Sequence, residues 1–171
     1  MVTLAVLLVL QVLAWPGMAD YLASMRVRAG AEALRAALDY SRAAAVQRNA
    51  RVALCKSVAG AACTNSGGWQ QGWLVFQDSN NNGQLDPGEW VLHRQAALAG
   101  RLSATGGTTV RNFVSYAPTG QARQLGGQFL ADSILVCPAV AGAIDGYKLF
   151  IASTGRVRMA KAEGGDCPLS G

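Results

Sequence analysis

Residues 2–15 carry only two polar side chains, Thr3 and Gln11, and no charge. Wound as a helix, this run has no polar face. It therefore does not fit the boundary between a protein core and water, where an amphipathic helix lies. Its expected place is inside a membrane, where a helix satisfies its own backbone polar groups. The run falls short of the ~20 apolar residues that a span needs. No Lys or Arg precedes it and no small-residue cleavage motif comes after it, so it does not read as a secretory signal. Pro16 and Gly17 close the run and are expected to kink or loosen its junction with the next segment.

From 20 to 49 the chain is rich in Ala and Arg, with a single Gly (Gly30) and no Pro. Small or apolar residues recur at Leu22, Met25, Ala29, Ala33, Ala37, Tyr40 and Ala44, a spacing of three and four that marks one helix face. That face is expected to pack. Glu32 with Arg35, and Asp39 with Arg42, are expected to pair at i,i+3 on the solvated side. The expected division is therefore 1–19 as the membrane part of a long helix, 20–50 as its amphipathic part, and 51–171 as a single C-terminal domain.

After Asn49 helical periodicity gives way to short runs of β-type residues between Gly, Asn and Pro turns. They lie at 52–55, 73–76, 90–93, 110–116, 134–137, 147–152 and 156–159, with turn signals at Pro118-Thr119-Gly120 and Asp145-Gly146. Their length and spacing predict antiparallel sheets, so the fold class is α+β. With 51% hydrophobic and 15% charged residues in 171, the chain is not disordered and can bury its own core. Only 7% of it is aromatic, so small residues must build much of that core.

Catalysis is not expected. The one histidine, His93, falls in an apparent strand, and no nucleophile motif or glycine-rich phosphate loop is present. No small-molecule substrate and no resident cofactor are therefore expected.

Four cysteines allow three pairings. A membrane anchor leading into a small β domain suits an oxidising exterior, where disulfides persist. The favoured pairs are Cys55 with Cys63, as a local staple, and Cys137 with Cys167, pinning the tail. Zinc needs closely spaced ligand pairs, which these spacings do not supply.

The stretch 78–89 matches a calcium-loop template, with Asp78, Asn80, Asn82, Asp86 and Glu89 at oxygen-ligand positions and Gly83 at the tight turn. Its flanks read as strands, not as the helices of an EF-hand. The favoured reading is a polar loop tip in which Asn and Gly make turns and Asp caps backbone donors. Calcium binding is the alternative.

Several of these stretches together carry a family likeness. Val2-Thr-Leu-Ala-Val-Leu7, the apolar run, Pro16 and the Ala/Arg helix resemble the start of a type IV pilin-like protein. Gly72-Trp-Leu-Val-Phe-Gln-Asp78, Asn80-Asn-Asn-Gly83, Pro87-Gly-Glu89 and Ser153-Thr-Gly-Arg-Val-Arg158 resemble the GspH/FimT pseudopilins, in the same order. The resemblance implies a pilin-like fold, a long N-terminal helix packed on a twisted antiparallel β-sandwich, and it implies that the loop 78–89 connects a β-hairpin. It implies a minor pseudopilin, held in the bacterial inner membrane by a single pass with its β domain in the periplasm. Its partners would be other pseudopilins or minor pilins, met through the apolar helix, in a type II secretion pseudopilus or a type IV pilus.

The chain departs from the family at its start. Such proteins carry Gly-Phe-Thr-Leu-x-Glu, cut after the Gly by prepilin peptidase, with the new terminal Phe methylated. None of these residues is present. The expectation is that Met1 is an internal start and that about seven mature residues and a leader precede it in the gene, which would restore a full span of about 20 residues.

From Trp90 to Lys161 eight basic residues (Arg94, Arg101, Arg111, Arg123, Lys148, Arg156, Arg158, Lys161) face only two acids, Asp132 and Asp145. In a strand, Arg156 and Arg158 share one face, and paired guanidinium forks suit phosphate oxygens. Gly155-Arg-Val-Arg158 resembles the Gly-Arg-x-Arg motif with which FimT-type pilins bind DNA in natural transformation. By that resemblance Arg156, Arg158 and Lys161 are candidate contacts to double-stranded DNA. The other expectation for this surface is a solvated sheet face, or packing against a neighbouring pseudopilin.

Overall fold

The computed structural model describes residues 2–139, 145–162 and 165–167, with side chains from Asp20 onward. The membrane assignment of 2–15 concerns side chains outside that set. Among the described residues no helix is long and apolar enough to cross a membrane.

One helix, α1 (Val2–Arg48), runs through Pro16 and Gly17 without interruption. Its Ala-rich second half has high intrinsic propensity. It ends at Asn49, whose φ of +47° is the left-handed conformation that Asn tolerates, and the amide of Ala50 reaches back to Ala45 O at 3.2 Å.

The buried stripe of α1 is Val27, Ala31, Leu34, Ala37, Leu38, Ser41, Ala44 and Ala45. This corrects the expected face. Ala37 and Ala44 are on it, but Leu22, Met25 and Tyr40 are 46%, 51% and 46% exposed. Ala is apolar on every side of this helix, so spacing alone left the stripe's rotation undetermined. The branched pair Leu34 and Leu38 settles it by filling the core. Gly30 shares that side, because a Cβ there would come within 2.9 Å of Leu102 Cδ1. The ion pairs are also shifted by one residue from expectation. Arg28–Glu32 (2.8 Å) and Arg35–Asp39 (3.6 Å) pair at i,i+4, while Arg42 Nε donates to Gly120 O at 3.0 Å.

Among the described residues eight strands follow: β1 (Val52–Lys56), β2 (Trp73–Gln77), β3 (Val91–Gln95), β4 (Leu102–Gly106), β5 (Phe113–Tyr116), β6 (Asp132–Pro138), β7 (Tyr147–Ile151) and β8 (Val157–Lys161). They form two four-stranded sheets, ordered β3-β2-β1-β5 and β4-β6-β7-β8, every pairing antiparallel. The expected run 110–116 is a strand only from Phe113. Val110 is instead buried in the preceding turn, where its carbonyl accepts from Trp69 Nε1 at 3.1 Å. Trp90 lies outside β3 and is 71% exposed. Strand β4 had no counterpart in the reading by composition, since Ser103, Thr105 and Gly106 hide the alternation of buried Leu102 and Ala104.

Both sheets pack on the C-terminal half of α1. Val52 and Leu54 point to the helix side, into a core with Leu34, Trp69, Trp73, Val114, Ile134, Val136 and Leu149. Ala53, Cys55, Leu74 and Phe76, on the opposite side of β1 and β2, form a second cluster under Cys63, Leu85, Val91 and Phe113. Covering both faces is what buries these two strands almost completely.

The disulfides are Cys55–Cys63 and Cys137–Cys167. The first folds a loop over the second cluster. Lys56, buried beside it, donates its ammonium to Gly67 O (2.8 Å) and Asn65 O (3.3 Å). Burial, and then the nearby Arg111 charge, push the Lys56 ammonium below its usual pKa.

Candidate functional site

The turn from β7 to β8 presents the Arg-Val-Arg segment. Gly155, at φ +82°, closes it with its amide on Ala152 O at 2.8 Å, and Ala152 N returns to Arg156 O at 3.0 Å. A Cβ on Gly155 would collide with Gly120 O, so the turn is seated directly on the neighbouring loop. Arg156 and Arg158 are exposed on one face and Val157 between them is half-buried, as strand alternation requires.

Register decides what surrounds each basic side chain. Arg158 is opposite Phe150, and its guanidinium carbon lies 4.7 Å from the ring centre. Lys148 approaches the same ring at 5.6 Å and pairs with Asp166 at 3.6 Å. Such cation–ring contacts hold a guanidinium in place without neutralising it. The Arg156 guanidinium, among the described residues, has no hydrogen-bond or ion-pair partner.

A groove of about 800 Å³ runs beside β8, lined by Arg156, Arg158, Phe150, Val157 and Met159 and, from α1, by Arg35. Arg35 and Phe150 are the residues that sequence reasoning missed. Neither belongs to a motif, and only the packing of α1 against the second sheet brings Arg35 to this place. Asp132 also lines the groove. Burial pushes its carboxyl pKa up, but the hydroxyl and amide of Thr109 with the amides of Ser133 and Val110 outweigh that and hold it below the usual carboxylate range.

Lys161 is set apart from the two arginines. It is aligned with Tyr147 and Val136, in the row of side chains that faces α1, and pairs with Asp145 at 3.0 Å. It lines a different groove, of about 500 Å³, with Tyr21 and Arg28. The structure thus brings Arg156 and Arg158 together and separates Lys161 from them.

The stretch 78–89 joins β2 to its antiparallel neighbour β3 and is a hairpin tip. Its three carboxylates accept hydrogen bonds from within the loop. Asp78 accepts from the amides of Asn82 (3.1 Å) and Gly83 (3.0 Å), and Asp86 from the side chains of Asn80 (2.8 Å) and Asn82 (2.6 Å). Glu89 accepts from the amides of Ser79 (2.7 Å) and Asp86 (3.0 Å). Burial raises the Asp78 carboxyl pKa, partly offset by those two amides. Among the described residues no group of three His, Cys, Asp or Glu is arranged to hold a metal ion. His93 meets Tyr40 edge-on, with ring centres 6.1 Å apart.

The family model described as type II transport protein GspH matches residues 30–158, well over half of the chain. The chain belongs to the GspH family. The matched segment opens in the buried stripe of α1 and ends at Arg158. Solved structures that share the fold of this GspH-family chain include a minor pilin and a minor pseudopilin. The type IV minor pilin FimU of Pseudomonas aeruginosa is 18% identical, covering 78% of this chain and 87% of its own, with a TM-score of 0.60. The minor pseudopilin EpsH from the type 2 secretion system of Vibrio cholerae is 10% identical, covering 80% and 97%, with a TM-score of 0.54. The pilin-like α+β fold, a long helix packed on antiparallel sheets, is therefore the fold of this chain. A comparison with curated protein sequences found no significant match.

Proposed function

We propose that the chain is a minor pseudopilin, a structural and non-catalytic subunit of a type II secretion pseudopilus or a type IV pilus. The family match over 30–158 carries this reading. It is supported by a 47-residue helix whose C-terminal half packs under two sheets. Residues 2–15 anchor the subunit in the inner membrane and pack against the helices of other pseudopilins or minor pilins. The β domain stands in the periplasm, where two disulfides persist. Deleting the gene and assaying exoprotein secretion, pilus assembly and transformation tests this. Loss of secretion or of pili is expected, and unchanged behaviour in all three would overturn it.

A second reading, a DNA-binding minor pilin for uptake, is favoured by one observation. Arg156 and Arg158 are exposed on one face, and neither is neutralised by a carboxylate among the described residues. Phosphate contacts of this kind are independent of base sequence and steeply salt-dependent. A gel shift with double-stranded DNA is expected to weaken strongly in Arg156→Gln/Arg158→Gln, and equal binding by both proteins would remove these residues from the site.

A further inference from the structure

We propose that Arg35 of α1 is a third phosphate contact, so that helix and edge strand together clamp the backbone of double-stranded DNA. This rests on the DNA-binding reading above. Arg35 lines the groove that Arg156 and Arg158 also line. Among the described residues the Arg156 guanidinium is unpaired and that of Arg158 meets only the ring of Phe150. Arg35 stands 3.6 Å from Asp39 with both side chains about half exposed, a pair that water screens and that gives way at little cost. All three forks are thus available to an anion.

Among the described residues the groove's one carboxylate is turned onto neutral donors that keep it ionised, so three guanidinium charges share the groove with one negative charge. Asp132 Oδ2 accepts from Thr109 N and Thr109 Oγ1, both at 2.8 Å, and its Oδ1 accepts from Ser133 N at 2.8 Å. The apolar side chains of Val157 and Met159 back the site with low-dielectric material, which strengthens the field of the three cations. Both sides of the groove are anchored in the core. On α1, Leu34 and Ala37 near Arg35 are buried against the sheets, and β8 is paired along its length with β7.

The test is fluorescence anisotropy of a labelled DNA duplex titrated with the full chain in a non-ionic detergent, over a series of salt concentrations. Arg35→Gln is expected to weaken binding about tenfold at low salt, the worth of one charge-assisted contact. It is also expected to lower the slope of log K against log salt by about 1. Arg28→Gln removes the same charge from the other groove and is expected to leave that slope unchanged. Arg35 is half exposed, so an unchanged melting temperature shows that the loss is not one of folding. If Arg35→Gln matches Arg28→Gln while Arg156→Gln/Arg158→Gln loses binding, Arg35 is no contact and the two-arginine site stands. Failure of the unaltered chain to bind the duplex overturns both. Displacement of the duplex by polyglutamate at equal charge concentration would point to an acidic protein partner and overturn the nucleic-acid assignment.

Discussion

Gly155 is where one residue controls the candidate site. Its φ of +82° disfavours an L side chain, and the space its Cβ would take is occupied by Gly120 O. Gly127 has a similar φ of +84° but nothing within 4 Å of a Cβ. The contrast separates strain from collision. Gly127→Ala is expected to cost about 1 kcal/mol, the backbone penalty alone. Gly155→Ala is expected to cost at least about 2 kcal/mol, since backbone must move as well. Denaturant midpoints of the two variants check this, and equal midpoints would show that the turn is not seated on the 118–120 loop. Arg156 and Arg158 were legible in the sequence as a motif on one strand face. Lys161 was not correctly placed, because three positions after Arg158 falls on the opposite face of a strand. Arg35 was legible only as a helix-surface cation.

At the scale of elements, the 78–89 hairpin is the plainest case of one pattern with two physical uses. The residues that suit a calcium loop are also those that suit tight turns and backbone capping. Here each of the three carboxylates accepts two hydrogen bonds from within the loop. A cation would have to compete with those donors for the same carboxylates. Calorimetry with calcium chloride is therefore expected to give no heat at millimolar concentration, and measurable heat would restore the cation reading. Helix α1 was legible as an element, from composition and the absence of Pro after Gly17, but its buried face was not. An Ala-rich surface offers apolar area in every direction, and contact with the sheets selects one. Strand β4 went unread because its side chains are small, and small residues give a weak alternation signal.

At the scale of the whole molecule, two sheets and a helix place side chains that are remote in the chain around one groove. The residues of α1 that pack on the sheets run from Val27 to Ala45. The amino-acid sequence alone was enough for the α+β class, the antiparallel sheets, the family likeness and the excess of positive charge toward the C-terminus. These come from local periodicity, turn chemistry and residue counts, which need no knowledge of distant contacts. Only the tertiary structure decided which stripe of α1 is buried and which basic residues share a surface. It also decided that Lys161 is bound to Asp145 while Arg156 is left open. The physical reason is that strand register and helix rotation are fixed by packing between elements far apart in the chain. A one-residue change in either moves every side chain to another face.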